Sequence, residues 1–258
     1  MLECSEITKK YGRKTVVDAF SAKFEPGKVY AVLGPNGSGK TTLMKMIEGL
    51  VVPNKGSITF DGHDAGYADR AAIAYMPTEA YFYGYMTPET AGRFYADFYE
   101  DFSVLDYENR LKKMGIEPYA KIRTLSSGQA AKMKIALTLS RKAKVYMLDE
   151  PLNGIDLISR DEIIREIIAA SDDDTVMIIS THIIEEIEGI IDHVIFLKDG
   201  KKADEGNVEE NRSKTGKSIT AMYREIYGVR GESEPEASNE AAEPEETEEP
   251  EEEGGEVK

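Results

Sequence analysis

One cysteine in 258 residues, Cys4, leaves no partner for an internal disulfide and no thiolate pair for a zinc site, which fits a reducing cytoplasm. Long apolar runs are missing as well. No segment approaches the ~18 consecutive apolar residues of a membrane span, and the opening MLECSEITKKYGRK has no apolar signal-peptide core. The expectation is a chain that neither crosses a membrane nor leaves the cell by a recognisable signal. A basic excess is also lacking: 32 Lys and Arg stand against 48 Asp and Glu, a formal net charge of −16. Nucleic-acid binding normally needs a basic face, so no nucleic-acid partner is expected.

What is present is an apolar fraction of 41%, enough for a sizeable core. The acidity is concentrated at one end. Residues 231–258 carry thirteen Glu and one Lys, which leaves 35 acids and 31 bases in residues 1–230. With Glu, Pro, Ala, Ser and Gly and no aromatic residue, 231–258 reads as a disordered acidic tail. Residues 1–230 read as one α/β unit with a mostly parallel sheet and an antiparallel β part. Strands are expected at Val29–Leu33, Ser57–Phe60, Ile73–Met76, Val145–Leu148, Val176–Ser180 and Val194–Leu197. Between about 79 and 144 helical periodicity replaces strand signals, so a helical subdomain is inserted between core segments 1–78 and 145–210. There Phe94, Tyr95, Phe98, Tyr99 and Phe102 fall on one helix face and are expected in the core. Residues 160–170 read as a helix, Asp199-Gly200 as a hairpin turn, and 213–228 as one closing helix.

The chemistry begins at Gly34-Pro35-Asn36-Gly37-Ser38-Gly39-Lys40-Thr41, which satisfies G-x-x-x-x-G-K-[ST] and continues into Thr42. Small residues let successive backbone N–H groups curl around phosphate oxygens, while the helix that follows points its positive end at them. Lys40 is expected to reach the β and γ phosphates and Thr41 to ligate Mg²⁺. The strand Val145–Leu148 then delivers Asp149 as a second Mg²⁺ ligand, and Glu150 follows, placed to polarise a water in line with the γ phosphate. A glycine turn that merely caps a helix loses ground because a strand precedes and a helix follows, and a merely charged strand end loses ground because the phosphate loop stands in the same chain. The pair predicts a nucleoside-triphosphate hydrolase.

Leu125-Ser126-Ser127-Gly128-Gln129 lies 20 residues before the carboxylate strand and resembles the signature motif of ATP-binding-cassette ATPases. The resemblance covers about residues 1–210. By it, Tyr11 corresponds to the aromatic residue that stacks on adenine, Leu152–Asp156 to the D-loop, and His182 to the switch histidine that touches the γ phosphate. It implies ATP with Mg²⁺ as cofactor. It also implies a second cassette, identical or different, whose Ser126, Ser127, Gly128 and Gln129 segment covers ATP held by Gly34–Thr42. The sequence departs from the family at Thr78, where a glutamine is usual. The Thr78 hydroxyl would have to serve Mg²⁺ or the attacking water instead, and Glu79 would face the partner. Ser127 replaces the commonest glycine and is expected to be tolerated.

Tyr81, Phe82, Tyr83 and Tyr85 follow Thr78, where transporter cassettes receive their membrane partner. They read equally as an interface or as internal packing. His193 is expected to be structural, His63 exposed, and Cys4 a strand residue without redox role. The leading functional expectation is the ATPase subunit of a membrane transporter of exporter type, peripheral on the cytoplasmic face and docked near Thr78–Tyr85 to a separate multi-span subunit. A soluble cassette acting on a protein scaffold is the alternative. A small-molecule kinase leaves the signature, the D-loop and His182 without a role.

Overall fold

The computed structural model describes residues 1–228; the acidic tail 231–258 lies outside the described residues. Two sheets form around one parallel layer. The first is antiparallel, in the order β2-β1-β4-β5, and uses β1 Leu2–Tyr11, β2 Lys14–Phe24, β4 Lys55–Phe60 and the short β5 His63–Asp64. The second has six strands in the order β10-β9-β3-β8-β7-β6. Here β3 Lys28–Leu33, β6 Ile73–Met76, β7 Val145–Asp149, β8 Val176–Thr181 and β9 His193–Lys198 run parallel, and β10 Lys201–Asn207 returns antiparallel to β9.

Side-chain alternation along these strands divides the core in two. Ala31, Leu33, Tyr146, Leu148, Met177, Ile179, Val194 and Phe196 face one way. Against them pack α3 Pro88–Phe98, α4 Val104–Lys113, α5 Ser127–Leu139 and α6 Leu157–Ala170. Tyr30, Val32, Val145, Met147, Val176, Ile178, Ile195 and Leu197 face the other way, onto Leu43, Met44, Met46 and Ile47 of α1 Lys40–Glu48 and onto β1 and β2. Both faces of the central strands are covered, which is why they read as continuous apolar runs. A short α2, Tyr67–Ala71, precedes β6.

The helices α3 to α5 occupy the stretch between β6 and β7 but share one apolar core with the sheet. Arg141 fixes the joint. Its buried guanidinium pairs with Asp101 through Nε and Nη2, both at 3.0 Å, and donates to the carbonyls of Ile73 (2.6 Å) and Ala71. It also lies 3.9 Å from the Tyr99 ring.

Three expectations need correction. The aromatic stripe does not lie on one buried helix face. Capped by Thr87 with Pro88 at its first turn, α3 stops at Phe98; Tyr95 and Phe102 turn inward, whereas Phe94 and Phe98 pack against each other with tilted rings 4.6 Å apart and are 49% and 69% exposed. The closing helix 213–228 is two helices, α7 Val208–Thr215 and α8 Ile219–Tyr227. Gly216, at φ +69°, ends the first in the left-handed conformation that favours glycine, and the Ser218 hydroxyl caps the second. Cys4 lies in β1 and the Asp199-Gly200 turn leads from β9 into β10, as expected, but β2 and the extents of β1 and β10 were not anticipated. Glu6 and Ala19 adopt positive φ beside shifts in the β1–β2 register, which breaks their alternation, and β10 is a polar edge strand of sequence KKADEGN.

In α8, the Tyr227 hydroxyl lies 3.2 Å from the Leu33 carbonyl and 3.0 Å from that of Leu197, joining the ends of β3 and β9. Cys4 is a buried strand residue whose thiol is pushed up to about 12 by burial. His193 opens β9 and stacks on Tyr30, and His63 is exposed.

Glu48, the last residue of α1, is mostly shielded from water and its Oε2 has no hydrogen-bond partner. Burial pushes its carboxyl up to about 7, against the opposing pull of Arg141 and Arg70. Below the unfolded-state value of roughly 4.3 both states are protonated, and no penalty arises. Between there and about 7 the unfolded chain releases its proton first, so stability falls as pH rises. Glu48→Gln is therefore expected to match the parent at pH 4 and to exceed it at pH 8 by up to about 4 kcal/mol, read from urea midpoints.

Candidate functional site

Leu33 ends β3, and the chain turns at once into Gly34–Gly39 before α1 begins at Lys40. Glycine is required at two of these positions. A Cβ on Gly34 would strike the Leu197 carbonyl and Ser38, and Gly39, at φ +110°, would place one 2.6 Å from the Val16 carbonyl. The loop therefore wraps tightly over β2 and β9, and the loop together with the first turn of α1 borders one cleft. Its volume is ≈ 360 Å³, and its lining includes Val16, Lys40, Thr41, Thr78, Glu150 and Asn153.

At the floor, Asp149 ends β7 and is fully buried. The Thr41 hydroxyl donates to its Oδ2 at 2.7 Å, and the Ser180 hydroxyl donates to its Oδ1. Asp149 and Ser180 are register partners in β7 and β8, so the sheet itself sets this contact. Glu150 sits one step beyond, held at φ +52°, where a non-glycine residue is strained. Its N–H donates to the Ser180 carbonyl at 2.9 Å. Its carboxylate lies 3.2 Å from Lys40 Nζ through Oε1 and 2.8 Å from His182 Nδ1 through Oε2. Lys40 Nζ also donates to the carbonyls of Gly34 (2.7 Å) and Pro35 (3.3 Å). A cation, a buried carboxylate, a second carboxylate and an imidazole thus meet at one cleft.

The residues fit a triphosphate and a hard cation. Ser38 Oγ is buried in the loop without a hydrogen-bond partner. Thr41 and Asp149 together offer the oxygen donors that Mg²⁺ takes alongside substrate phosphates.

Of the other expected residues, Tyr11 and the Ser126–Gln129 segment lie apart from this cleft, whereas Thr78 and Glu79 line it. Tyr11 ends β1, half exposed, with Lys9 Nζ 5.3 Å from its ring centre. Ser126 caps α5: its hydroxyl accepts from Gln129 N–H at 3.2 Å, and the Gln129 side chain accepts from Ser126 N–H at 3.0 Å. Gln129 is thus occupied as half of a capping box. Ser127 Oγ reaches the Gly154 carbonyl of the 152–156 loop at 3.4 Å, and Gly128 approaches the same carbonyl. None of Ser126, Ser127, Gly128 or Gln129 lines the phosphate cleft. The Thr78 hydroxyl donates to the Asp149 carbonyl at 3.2 Å, and Glu79 pairs with Lys45 at 2.7 Å. Val16 and Ser180 were not anticipated at the site. Val16 belongs to the unrecognised β2, while Ser180 was visible only as a strand residue.

Comparison with known proteins places this geometry. Residues 17–153 match the family model described as ABC transporter. The chain is 33% identical over 205 residues to the lantibiotic transport ATP-binding protein SrtF of Streptococcus pyogenes, spanning 78% of this chain and 88% of that protein.

The chain belongs to the ABC transporter family.

The cassette is also 30% identical over 243 residues to the linearmycin resistance ATP-binding protein LnrL of Bacillus subtilis, spanning 89% of this chain and 76% of that one. A solved ATP-binding subunit of an ABC transporter superposes with a TM-score of 0.77 at 25% identity, over 88% of this chain and 99% of that chain. A bacterial ABC transporter cassette solved as a dimer shares the fold, with a TM-score of 0.71 at 20% identity over 80% and 98%. The cassette is an ATP-binding subunit with ATPase character, and among the described residues no helix is long and apolar enough to cross a membrane.

Gly39→Ala is expected to weaken ATP binding at least about ten-fold, because the new methyl meets both an unfavourable φ and the Val16 carbonyl. Titration with a fluorescent ATP analogue measures the loss, and unchanged far-UV circular dichroism separates it from unfolding.

Proposed function

We propose that this cassette powers a membrane exporter by ATP-driven pairing with a second cassette. The observation that carries the reading is the separation, within one chain, of the phosphate cleft at Lys40 from the surface at Ser126, Ser127 and Gly128. A second copy or a related cassette would bring its own Ser126–Gly128 segment over the nucleotide, with the start of α5 directed at the γ phosphate.

Within the site, the backbone of Gly34, Pro35, Asn36, Gly37, Ser38, Gly39, Lys40, Thr41 and Thr42 would hold the phosphates, with Lys40 moving from its loop carbonyls and Glu150 to the β and γ oxygens. Tyr11 would carry the adenine ring. Thr41 and Asp149 would hold Mg²⁺, which neutralises charge on the phosphoryl oxygens when bound. Glu150 would accept the proton of the attacking water, and His182, 2.8 Å from it, would orient that carboxylate and meet the γ phosphate. The Gln129 side chain would act as a helix cap and not as a ligand. The Thr78 hydroxyl, engaged with the Asp149 backbone, would serve the position of that strand end more than the metal.

Export as the direction draws support from relatives named for lantibiotic transport and linearmycin resistance. Docking to a membrane subunit on the cytoplasmic face draws support from Tyr83 and Tyr85, 68% and 71% exposed and stacked at 5.4 Å. Tyr81 and Phe82 instead join internal packing, with the Tyr81 hydroxyl 3.1 Å from that of Tyr95. No observation favours the scaffold ATPase.

Glu150→Gln is expected to retain ATP binding, to lose at least about a hundred-fold in turnover, and to elute as a dimer with ATP and Mg²⁺. A variant that stays monomeric at high concentration contradicts the paired-cassette mechanism. Replacing Tyr83 and Tyr85 with Ala is expected to release the protein from membranes containing its partner while soluble ATP binding persists; unchanged co-sedimentation contradicts docking there.

A further inference from the structure

The loop Pro77–Glu79 connects β6 to the helical segment and lines the nucleotide cleft through Thr78 and Glu79. Two cations hold it from opposite sides. Lys45 of α1, the helix that begins at the phosphate loop, pairs with the Glu79 carboxylate. Lys134 of α5 reaches the same loop from the helix that begins at Ser127. Its Nζ lies 2.8, 2.9 and 3.4 Å from the carbonyl oxygens of Pro77, Thr78 and Glu79 in turn.

Three successive carbonyls converge on one cationic donor group. An ammonium has three protons and no acceptor, so each carbonyl can take one of them. The side chain is half-buried, and desolvation draws its pKa below the usual lysine range while Glu79 and Asp149 oppose the shift. Those two carboxylates are the acids that face it. The loop passes its constraint onward, because the Thr78 hydroxyl donates to the Asp149 carbonyl, immediately before Glu150. A continuous line therefore runs from Ser127 along α5 to Lys134, through the three carbonyls to Thr78, and on to the strand end that carries both carboxylates.

We propose that Lys134 is a positioning residue for ATP hydrolysis, fastening α5 to the Pro77–Glu79 loop so that contact at Ser126–Gly128 is transmitted through Thr78 to the Asp149–Glu150 backbone. The proposal rests on the paired-cassette reading given above. It assigns the coupling between the two composite sites to an ammonium held by backbone carbonyls. α5 is a single uninterrupted helix from Ser127 to Leu139, so a displacement of its first turn moves Lys134 with it.

The experiment uses the full-length chain and compares Lys134→Met, which keeps the length of the side chain without its charge, with Lys134→Arg. ATP affinity by fluorescent-analogue titration is expected to stay within about two-fold in both, since neither touches the phosphate loop. Turnover of Lys134→Met is expected to fall about ten-fold and its Hill coefficient for ATP to approach one, with Lys134→Arg recovering most of both. Thr78→Val, which removes the hydroxyl that reaches Asp149, is expected to lower turnover similarly, and the double variant to lose no more than either alone. Lys134→Met at parental turnover and cooperativity overturns the proposal. So does a loss in which affinity and turnover fall together with the urea midpoint; should Lys134→Met fail to fold, parental turnover in Thr78→Val overturns the relay on its own. Glu150→Gln run alongside separates the two readings. If it fails to dimerise, the paired-cassette mechanism falls and this proposal with it; if it dimerises while Lys134→Met behaves as the parent, only the role of Lys134 falls.

Discussion

A carboxylate buried at the end of a central strand organises this molecule. Asp149 is fully enclosed, and a charge there is tolerated only if hydrogen bonds replace the water it has lost. The replacements come from two directions: Thr41 from the first turn of α1, and Ser180 from the neighbouring strand. Satisfying one carboxylate thus sets the distance between the phosphate loop, β7 and β8. Glu150, held at positive φ by its N–H bond to Ser180, inherits that placement and lies within reach of Lys40 and His182.

The surrounding fold keeps this arrangement rigid. Each central strand has apolar side chains on both faces, so neither α1 nor the α3–α6 layer can slide without uncovering a packed surface. Polar ties are added where apolar packing is thin. Arg141 joins the helical segment to the backbone beside β6, and Lys134 joins α5 to the loop that follows that strand. Both ties reach carbonyl oxygens and so hold main chain directly, while the Arg141 tie also engages the Asp101 carboxylate.

Much of the site was legible because its residues are contiguous. Gly34–Thr42 and Asp149-Glu150 each sit on one turn or one strand end, where local spacing determines geometry. The central strands were legible for a related reason, since burial on both faces writes an unbroken apolar run. What escaped was non-local. Val16 reaches the cleft only because β2 folds over the phosphate loop, and the bulge at Ala19 removes the alternation that would mark that strand. Phe94 and Phe98 share the helical spacing of buried neighbours, yet the end of α3 leaves them outward; periodicity identifies a face without saying what covers it. Lys134 gave no signal, since a lysine within a helix ordinarily reads as a solvated residue until the opposing carbonyls are known. Gly216 carries a local signal for a left-handed cap, but the reading of 213–228 as one helix runs through it.

The bond from Tyr227 to the carbonyls of Leu33 and Leu197 bears on where this cassette physically ends. Its recognisable motifs stop at His182 and its last strand at Asn207, which suggests that anything further is an appendage. The phenol, however, supplies a donor to the ends of β3 and β9 at the point where the phosphate loop departs. A chain shortened to its motif-bearing span would leave those two acceptors to water directly behind Gly34. A hydroxyl in the last described helix therefore belongs to the packing directly behind the phosphate loop, well beyond the segment in which the chemistry is written.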